Sequence, residues 1–341
     1  MSQRGPLTTT PAAVTLAHNP LRYRLRSRLN RQVSMFLRGV IPANVLPFDV
    51  DGQIDEEAYR QHLDWLAGTA GVGGLTCNGH AGEIASLDRA ERRRATAIAV
   101  ETVGGRVPVV CGIYSEDERD AADKAKDAAT DGADALLVMP PNSLAYEDSL
   151  DRVVRQFTHI AAAVPLPLVV FVYPQWTGMH YSPELLARLC EIDSVVAVKE
   201  WSLDIHAHEQ NLAIVRSAGH PVSMLTSFST HLLPALAIGA DGILSGYGSV
   251  AAPLQVSLLA AMSRSDLATA RHTYAQLQVL TRVVYRDPMP NMYARMKEQL
   301  VMLGHRLTPV TRPPLRPVSD PEKQRLRQAL LDADLLSPSF T

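Results

Sequence analysis

From Gly39 onward, short continuous apolar runs alternate with longer stretches in which apolar residues recur every three or four positions. The first pattern predicts strands buried on both faces, the second amphipathic helices packed over them. Strands are expected over 40–47, 74–78, 107–113, 135–139, 168–173, 195–199, 223–226 and 242–245. Helical patterns follow over 56–67, 89–103, 116–130, 146–163, 183–191, 207–218, 230–237 and 252–262. Two of these helices carry start signals: Ser182 ahead of Pro183, and Ser115 ahead of an acidic first turn. Asp131-Gly132-Ala133-Asp134 and Gly239-Ala240-Asp241-Gly242 read as glycine-containing turns from helix to strand. Eight such units predict an α/β fold, a (β/α)8 TIM barrel over 39–264. A doubly wound sheet is the alternative, but no glycine-rich phosphate fingerprint opens the first helix. Beyond Arg264 the pattern is all helix, over 266–284, 291–303 and 320–334, which makes 265–341 a C-terminal helical appendage.

Composition alters this picture at one end. Residues 1–38 hold seven arginines and no acidic residue, after a Thr/Pro/Ala-rich start. Such a segment reads as a disordered basic arm, a transit peptide, or an upstream start ahead of Met35. The whole chain is 46% hydrophobic with a net charge of −2, which gives no reason to expect nucleic acid or an anionic membrane as partner. No apolar run reaches the length of a membrane span. The three cysteines, Cys77, Cys111 and Cys190, each lie in apolar segments and read as buried free thiols of a reducing, cytoplasmic compartment.

Candidate chemistry centres on Val195-Val196-Ala197-Val198-Lys199-Glu200. A lysine closing a buried strand is disfavoured as a cation, so its pKa falls and the neutral amine becomes a nucleophile toward a carbonyl. The chain has five lysines, and the other four (Lys124, Lys126, Lys297 and Lys323) fall in polar, helix-like surroundings. The plain alternative is a lysine just past its strand with the head in solvent. In a barrel the active site collects at the C-terminal strand ends. The second strand ends in Gly79-His80-Ala81-Gly82-Glu83, whose glycines allow backbone amides to approach a small carboxylate. On the fifth, Phe171 and Tyr173 share a face about 6.6 Å apart, and Tyr173 could bring a hydroxyl to the Lys199 amine. Trp176 follows, and Ser245-Gly246 closes the eighth strand. The pair His206-x-His208 lies at a helix start without a carboxylate at ligand spacing, so a surface role is expected and no metal.

The order and spacing of these segments resemble the dihydrodipicolinate synthase / N-acetylneuraminate lyase family of class I aldolases. Gly39-Val40-Ile41-Pro42-Ala43 with Pro47-Phe48 looks like its first strand. Gly79-His80-Ala81-Gly82-Glu83 stands where the family has a Gly-Thr-Thr-Gly-Glu type motif. Tyr173-Pro174 with Thr177-Gly178, Val196-Ala197-Val198-Lys199-Glu200 and Gly239-Ala240-Asp241-Gly242 complete the likeness. The resemblance implies a barrel with a C-terminal helical bundle, a homotetramer or homodimer, Lys199 as the imine-forming residue on pyruvate or another 2-oxo acid, and no cofactor. It also exposes departures. His80 and Ala81 replace both motif threonines. Phe171 stands at the place of the proton-shuttling tyrosine, and Trp176 at that of a carboxylate-binding arginine of the diaminopimelate-pathway enzymes. Pro141-Asn142 stands where a tyrosine is lent across the dimer. A Schiff-base lyase other than the lysine-biosynthesis synthase is expected, with Lys199, Tyr173 and His80 catalytic. Gly79, Ala81, Gly82, Glu83, Phe171, Trp176, Ser245 and Gly246 would line the substrate. The rival reading is a barrel that binds 2-oxo acids without turnover.

Overall fold

The computed structural model describes residues 37–145 and 150–337. Nearly all of the basic 1–38 segment, with Met35, lies outside the described residues, as do positions 146–149 of the fourth predicted helix. Eight parallel strands alternate with helices. They are β1 Gly39–Pro42, β2 Leu75–Cys77, β3 Val109–Ile113, β4 Ala135–Val138, β5 Leu168–Val172, β6 Val195–Glu200, β7 Ser223–Thr226 and β8 Gly242–Ser245. From β2 to β8 each strand pairs with the next in sequence, and β8 pairs with β1. Bridges at Val40↔Val72 and Ala43↔Thr76 close the seam between β1 and β2. The ring is therefore a TIM barrel, as the repeated strand–helix pattern predicts.

The helices between strands are α1 Glu56–Gly68, α2 Arg89–Val103, α3 Glu118–Thr130, α4 Leu150–Ala163, α5 Pro183–Cys190, α6 Ile205–Arg216, α7 Leu232–Ala237 and α8 Gly248–Ser263. Ser182 caps α5 by accepting from the Leu185 N–H, with Pro183 at the first helical position. At α3 the expected cap moves. The Asp117 carboxylate takes the Arg119 and Asp120 amides, and the Ser115 hydroxyl donates to the Asp117 carbonyl instead. A charged acceptor at a helix start competes better than a hydroxyl.

Three more helices follow: α9 Leu267–Val284, α10 Met292–Met302 and α11 Asp320–Asp332. They do not stand apart from the barrel. Leu277, Leu280, Met296, Leu300 and Leu330 share one buried cluster with Val40 of β1 and Ile243 of β8. This common core fixes where α9 and α10 meet the barrel mouth. Among the described residues, no helix is long and apolar enough to cross a membrane. Cys77, Cys111 and Cys190 are buried free thiols, and the first two are register partners on β2 and β3.

Candidate active site

Lys199 and Phe171 are register partners on β6 and β5 and sit on the inner face of the barrel. Two residues further along each chain, Trp201 and Tyr173 occupy the next tier, because side chains repeat every second position. The Trp201 N–H continues the pairing onto the Val172 carbonyl at 3.1 Å. The result is an aromatic patch around one amine. The Lys199 Nζ stands 3.9 Å from the Phe171 ring centre. The Phe171 and Tyr173 rings meet at 4.6 Å, and Tyr173 and Trp201 at 5.7 Å.

Lys199 is 4% exposed and lines a partly open pocket at the C-terminal ends of the strands, about 360 Å³ counting the space open to solvent. Its ammonium has no hydrogen-bond or ion-pair partner among the described residues, and burial pulls its pKa down to about 7. Half of the amine is then neutral near pH 7 without any second cation to depress it.

His80 reaches the cavity from the loop after β2. Its Nε2 bonds the Tyr173 hydroxyl, and its ring lies 5.6 Å from Phe171 and 6.4 Å from Trp201. Burial, with the Lys199 cation second, pushes His80 down to about 3. It is a neutral imidazole at ordinary pH. The loop beneath it is held tightly: Asn78 and Glu83 adopt positive φ, and a Cβ on Gly112 of β3 would fall 1.9 Å from the Asn78 carbonyl oxygen. Glycine there is what lets this loop settle onto the strand.

The remaining predicted residues divide. Ala81, Phe171 and Gly246 line the cavity with Lys199 and His80. Gly82 cannot offer its amide to a carboxylate, because the N–H closes a turn on the Gly79 carbonyl at 3.1 Å. Glu83 turns away from the cavity into a buried ion pair with Lys297 at 2.6 Å. Lys297, expected in polar surroundings, is fully buried. Ser245 is enclosed in a hydroxyl network, 2.7 Å from Ser229 Oγ and 3.1 Å from Gln255 Nε2. Trp176 lies outside the cavity and is 68% exposed. Tyr173 touches His80, not the Lys199 amine.

The His206-x-His208 pair also departs from expectation. His206 is exposed, but His208 is fully buried and its Nδ1 lies 2.6 Å from the Glu200 carboxylate. Alternation along β6 points Glu200 outward toward α6, where it bonds His208 while Lys199 points inward.

Several cavity residues carry no signal in the motifs. Tyr285 and Tyr293, from the ends of α9 and α10, close the far wall with Met292 and Met296. Tyr285 donates its hydroxyl to Ser229 at 3.1 Å. Ser227, after β7, adds a hydroxyl that bonds nothing among the described residues. Trp201 alone was readable, since it lies two residues past Lys199 on the same face.

The sequence profile of the Dihydrodipicolinate synthetase family matches residues 36–333. A 4-hydroxy-tetrahydrodipicolinate synthase of Nitratidesulfovibrio vulgaris is 33% identical over 304 residues, covering 89% of this chain and 100% of its own. Among solved structures, dihydrodipicolinate synthase of Thermotoga maritima superposes with a TM-score of 0.82 at 26% identity, over 88% of this chain and 100% of that one. YagE of Escherichia coli K12, a prophage protein of the dihydrodipicolinic acid synthase family solved with pyruvate, gives 0.80 at 28% identity, over 89% and 100%.

Proposed function

Because this chain belongs to the dihydrodipicolinate synthetase family, whose members are lyases, we propose that it is a Schiff-base-forming lyase on pyruvate or a related 2-oxo acid. The observation that carries this reading is the Lys199 amine, buried, unpaired among the described residues and opening onto a cavity. The neutral amine adds to the keto carbon, one proton is taken up from the medium and water leaves, giving a protonated imine. When the bond between C3 and C4 of a 4-hydroxy-2-oxo acid breaks, its electron pair neutralises that iminium as an enamine. The C4 hydroxyl loses its proton and departs as an aldehyde. Protonation at C3 and hydrolysis return pyruvate and the free amine.

His80 is our candidate for the proton transfer. Tyr173 occupies its Nε2, which leaves Nδ1 to the substrate. A histidine held near 3 is a weak base, but the cation that helps to depress it disappears as the iminium becomes an enamine. Charge therefore passes from the Lys199 nitrogen to the imidazole, and the protonated ring donates Nε2–H to the Tyr173 oxygen. The amides of His80 and Ala81, which bond nothing among the described residues, are the groups we assign to the substrate carboxylate. The lysine-biosynthesis reaction fits poorly, since Trp176 stands where that chemistry needs an arginine. The proposal also includes a homotetramer or homodimer working in the cytoplasm without a cofactor.

The direct test is borohydride reduction in pyruvate. A mass increase on the peptide carrying Lys199 is expected, and an unmodified peptide at saturating pyruvate would sink the proposal. A ligand-binding protein without turnover is the second reading. It is favoured by Phe171, whose ring faces the amine and cannot exchange a proton. It predicts thermal stabilisation by 2-oxo acids with no product.

Two further results are expected. His80→Ala should lower kcat by about 10²–10⁴-fold, the usual worth of a general acid–base, while pyruvate still forms a trappable imine. Tyr173→Phe, acting through His80, should cost less. A His80→Ala rate within about twofold of wild type would assign the proton to another group. The rate of imine formation should rise with pH through about 7 and level off above 8, following the neutral amine. Between about pH 7 and the ordinary lysine value of 10.5, only the unfolded chain holds this proton, so Lys199 makes stability rise with pH in that window. A profile flat from pH 6 to 9 would mean the amine is not depressed.

A further inference from the structure

The wall of the cavity points to the other half of the substrate. Beyond Lys199, the lining side chains among the described residues carry no cation and no carboxylate. The two basic residues of α10 that come nearest in sequence are committed elsewhere. Arg295 bonds the Val284 carbonyl at 3.0 Å and Glu322 at 3.1 Å, and Lys297 is held by Glu83. An anionic distal group would therefore lose its hydration and gain no counter-ion. A polyol would find hydroxyls at Ser227, Tyr285 and Tyr293, but its remaining hydroxyls would lie against the Trp201 ring face, Met292 and Met296, which bond them weakly or not at all. The same rings and thioethers suit a flat apolar group, stacked or edge-on against Trp201 and Tyr293 and packed by deformable methionines. Nothing in this depends on Trp176, which faces away.

We propose that the substrate portion beyond the keto carbon is an uncharged aromatic group, so that the enzyme joins or separates pyruvate and a neutral aromatic aldehyde. This rests on the Schiff-base reading and specifies it. In the joining direction, the pyruvate imine loses a methyl proton to become the enamine, whose C3 attacks the aldehyde carbon. The aldehyde oxygen takes up a proton to become the C4 hydroxyl, and water hydrolyses the imine. Pyruvate and aldehyde sum to the 4-hydroxy-2-oxo acid, with no oxidant or reductant.

The test uses the full chain in two stages. Borohydride trapping with pyruvate comes first, and a missing adduct overturns the Schiff-base reading before any aldehyde is added. With the adduct present, kcat/KM is compared for benzaldehyde, D-glyceraldehyde and succinic semialdehyde as acceptors. A preference of at least about tenfold for benzaldehyde over both is expected. Equal or better use of the polyol or the anion overturns the aromatic assignment and leaves imine chemistry standing. Trp201→Leu should shrink the benzaldehyde preference by about tenfold. Tyr293→Leu, on a different helix, is the second variant should the first fail to fold. A variant that still traps pyruvate yet keeps the full preference would overturn the placement of the aromatic group.

Discussion

Lys199→Ala is expected to abolish the borohydride-trappable adduct and to lower turnover by on the order of 10⁴-fold or more, the scale seen when a covalent nucleophile is removed. The argument is local. Lys199 sits among Phe171, Trp201 and the apolar inner face of β6, with its nitrogen 3.9 Å from an aromatic ring and no carboxylate beside it. The Phe171 face attracts a cation weakly, but burial outweighs it and pulls the pKa down to about 7. Lys199→Arg should fare no better. A guanidinium keeps its proton at every accessible pH and cannot condense with a ketone. The cavity offers it no carboxylate, so the arginine variant should also be the less stable of the two. Lys199→Ala should be at least as stable as the wild type below about pH 7, where the wild-type chain holds a buried charge. Turnover surviving in Lys199→Ala within about tenfold of wild type would transfer the chemistry to another residue and end the Schiff-base account.

The legibility of this site differs residue by residue, for physical reasons. Lys199 was visible because a continuous apolar run ending in lysine joins two local facts, strand burial and a misplaced charge. Phe171 and Tyr173 were visible as a same-face pair, and the same parity should have added Trp201. What alternation cannot give is the partner across space. Tyr173 was expected to meet the Lys199 amine and instead meets His80, because a loop from β2 leans over the rim. The glycine motif was read as a row of amides facing a ligand. From its fourth residue onward it instead serves the loop itself, with Gly82 closing a turn and Glu83 anchoring it from below. Tyr285, Tyr293 and both methionines lie on helices whose rotation against the barrel is decided by the core shared with β1 and β8. Nothing in their own periodicity marks the face that meets the cavity.

Lys297→Met is expected to destabilise the protein by about 3–5 kcal/mol, the usual result of stripping one partner from a buried ion pair. Lys297 and Glu83 approach to 2.6 Å with both side chains buried. The ammonium also donates to the Val310 carbonyl at 2.7 Å and lies 4.4 Å from the Phe48 ring. Burial lowers the Lys297 pKa although Glu83 opposes it. The second oxygen of Glu83 accepts the Arg312 amide at 3.0 Å, and the Arg312 side chain grips Glu91, Gly52 and Ser86. Removing the ammonium leaves a carboxylate in the core with one amide for company. Glu83→Gln in the same chain removes that stranded charge while keeping an acceptor for Arg312. The double variant should therefore recover part of the loss, with a coupling of about 0.5–3 kcal/mol. Denaturant midpoints at constant slope measure both quantities. The pair also has a catalytic consequence, because Glu83 ends the loop that carries His80. Lys297→Met should lower kcat more than it weakens pyruvate trapping, since the Lys199 amine belongs to a strand and the imidazole to the loop. A single variant as stable as wild type, or a double variant worse than the sum of its parts, would mean that the C-terminal segment holds this loop by packing and not through the buried charge.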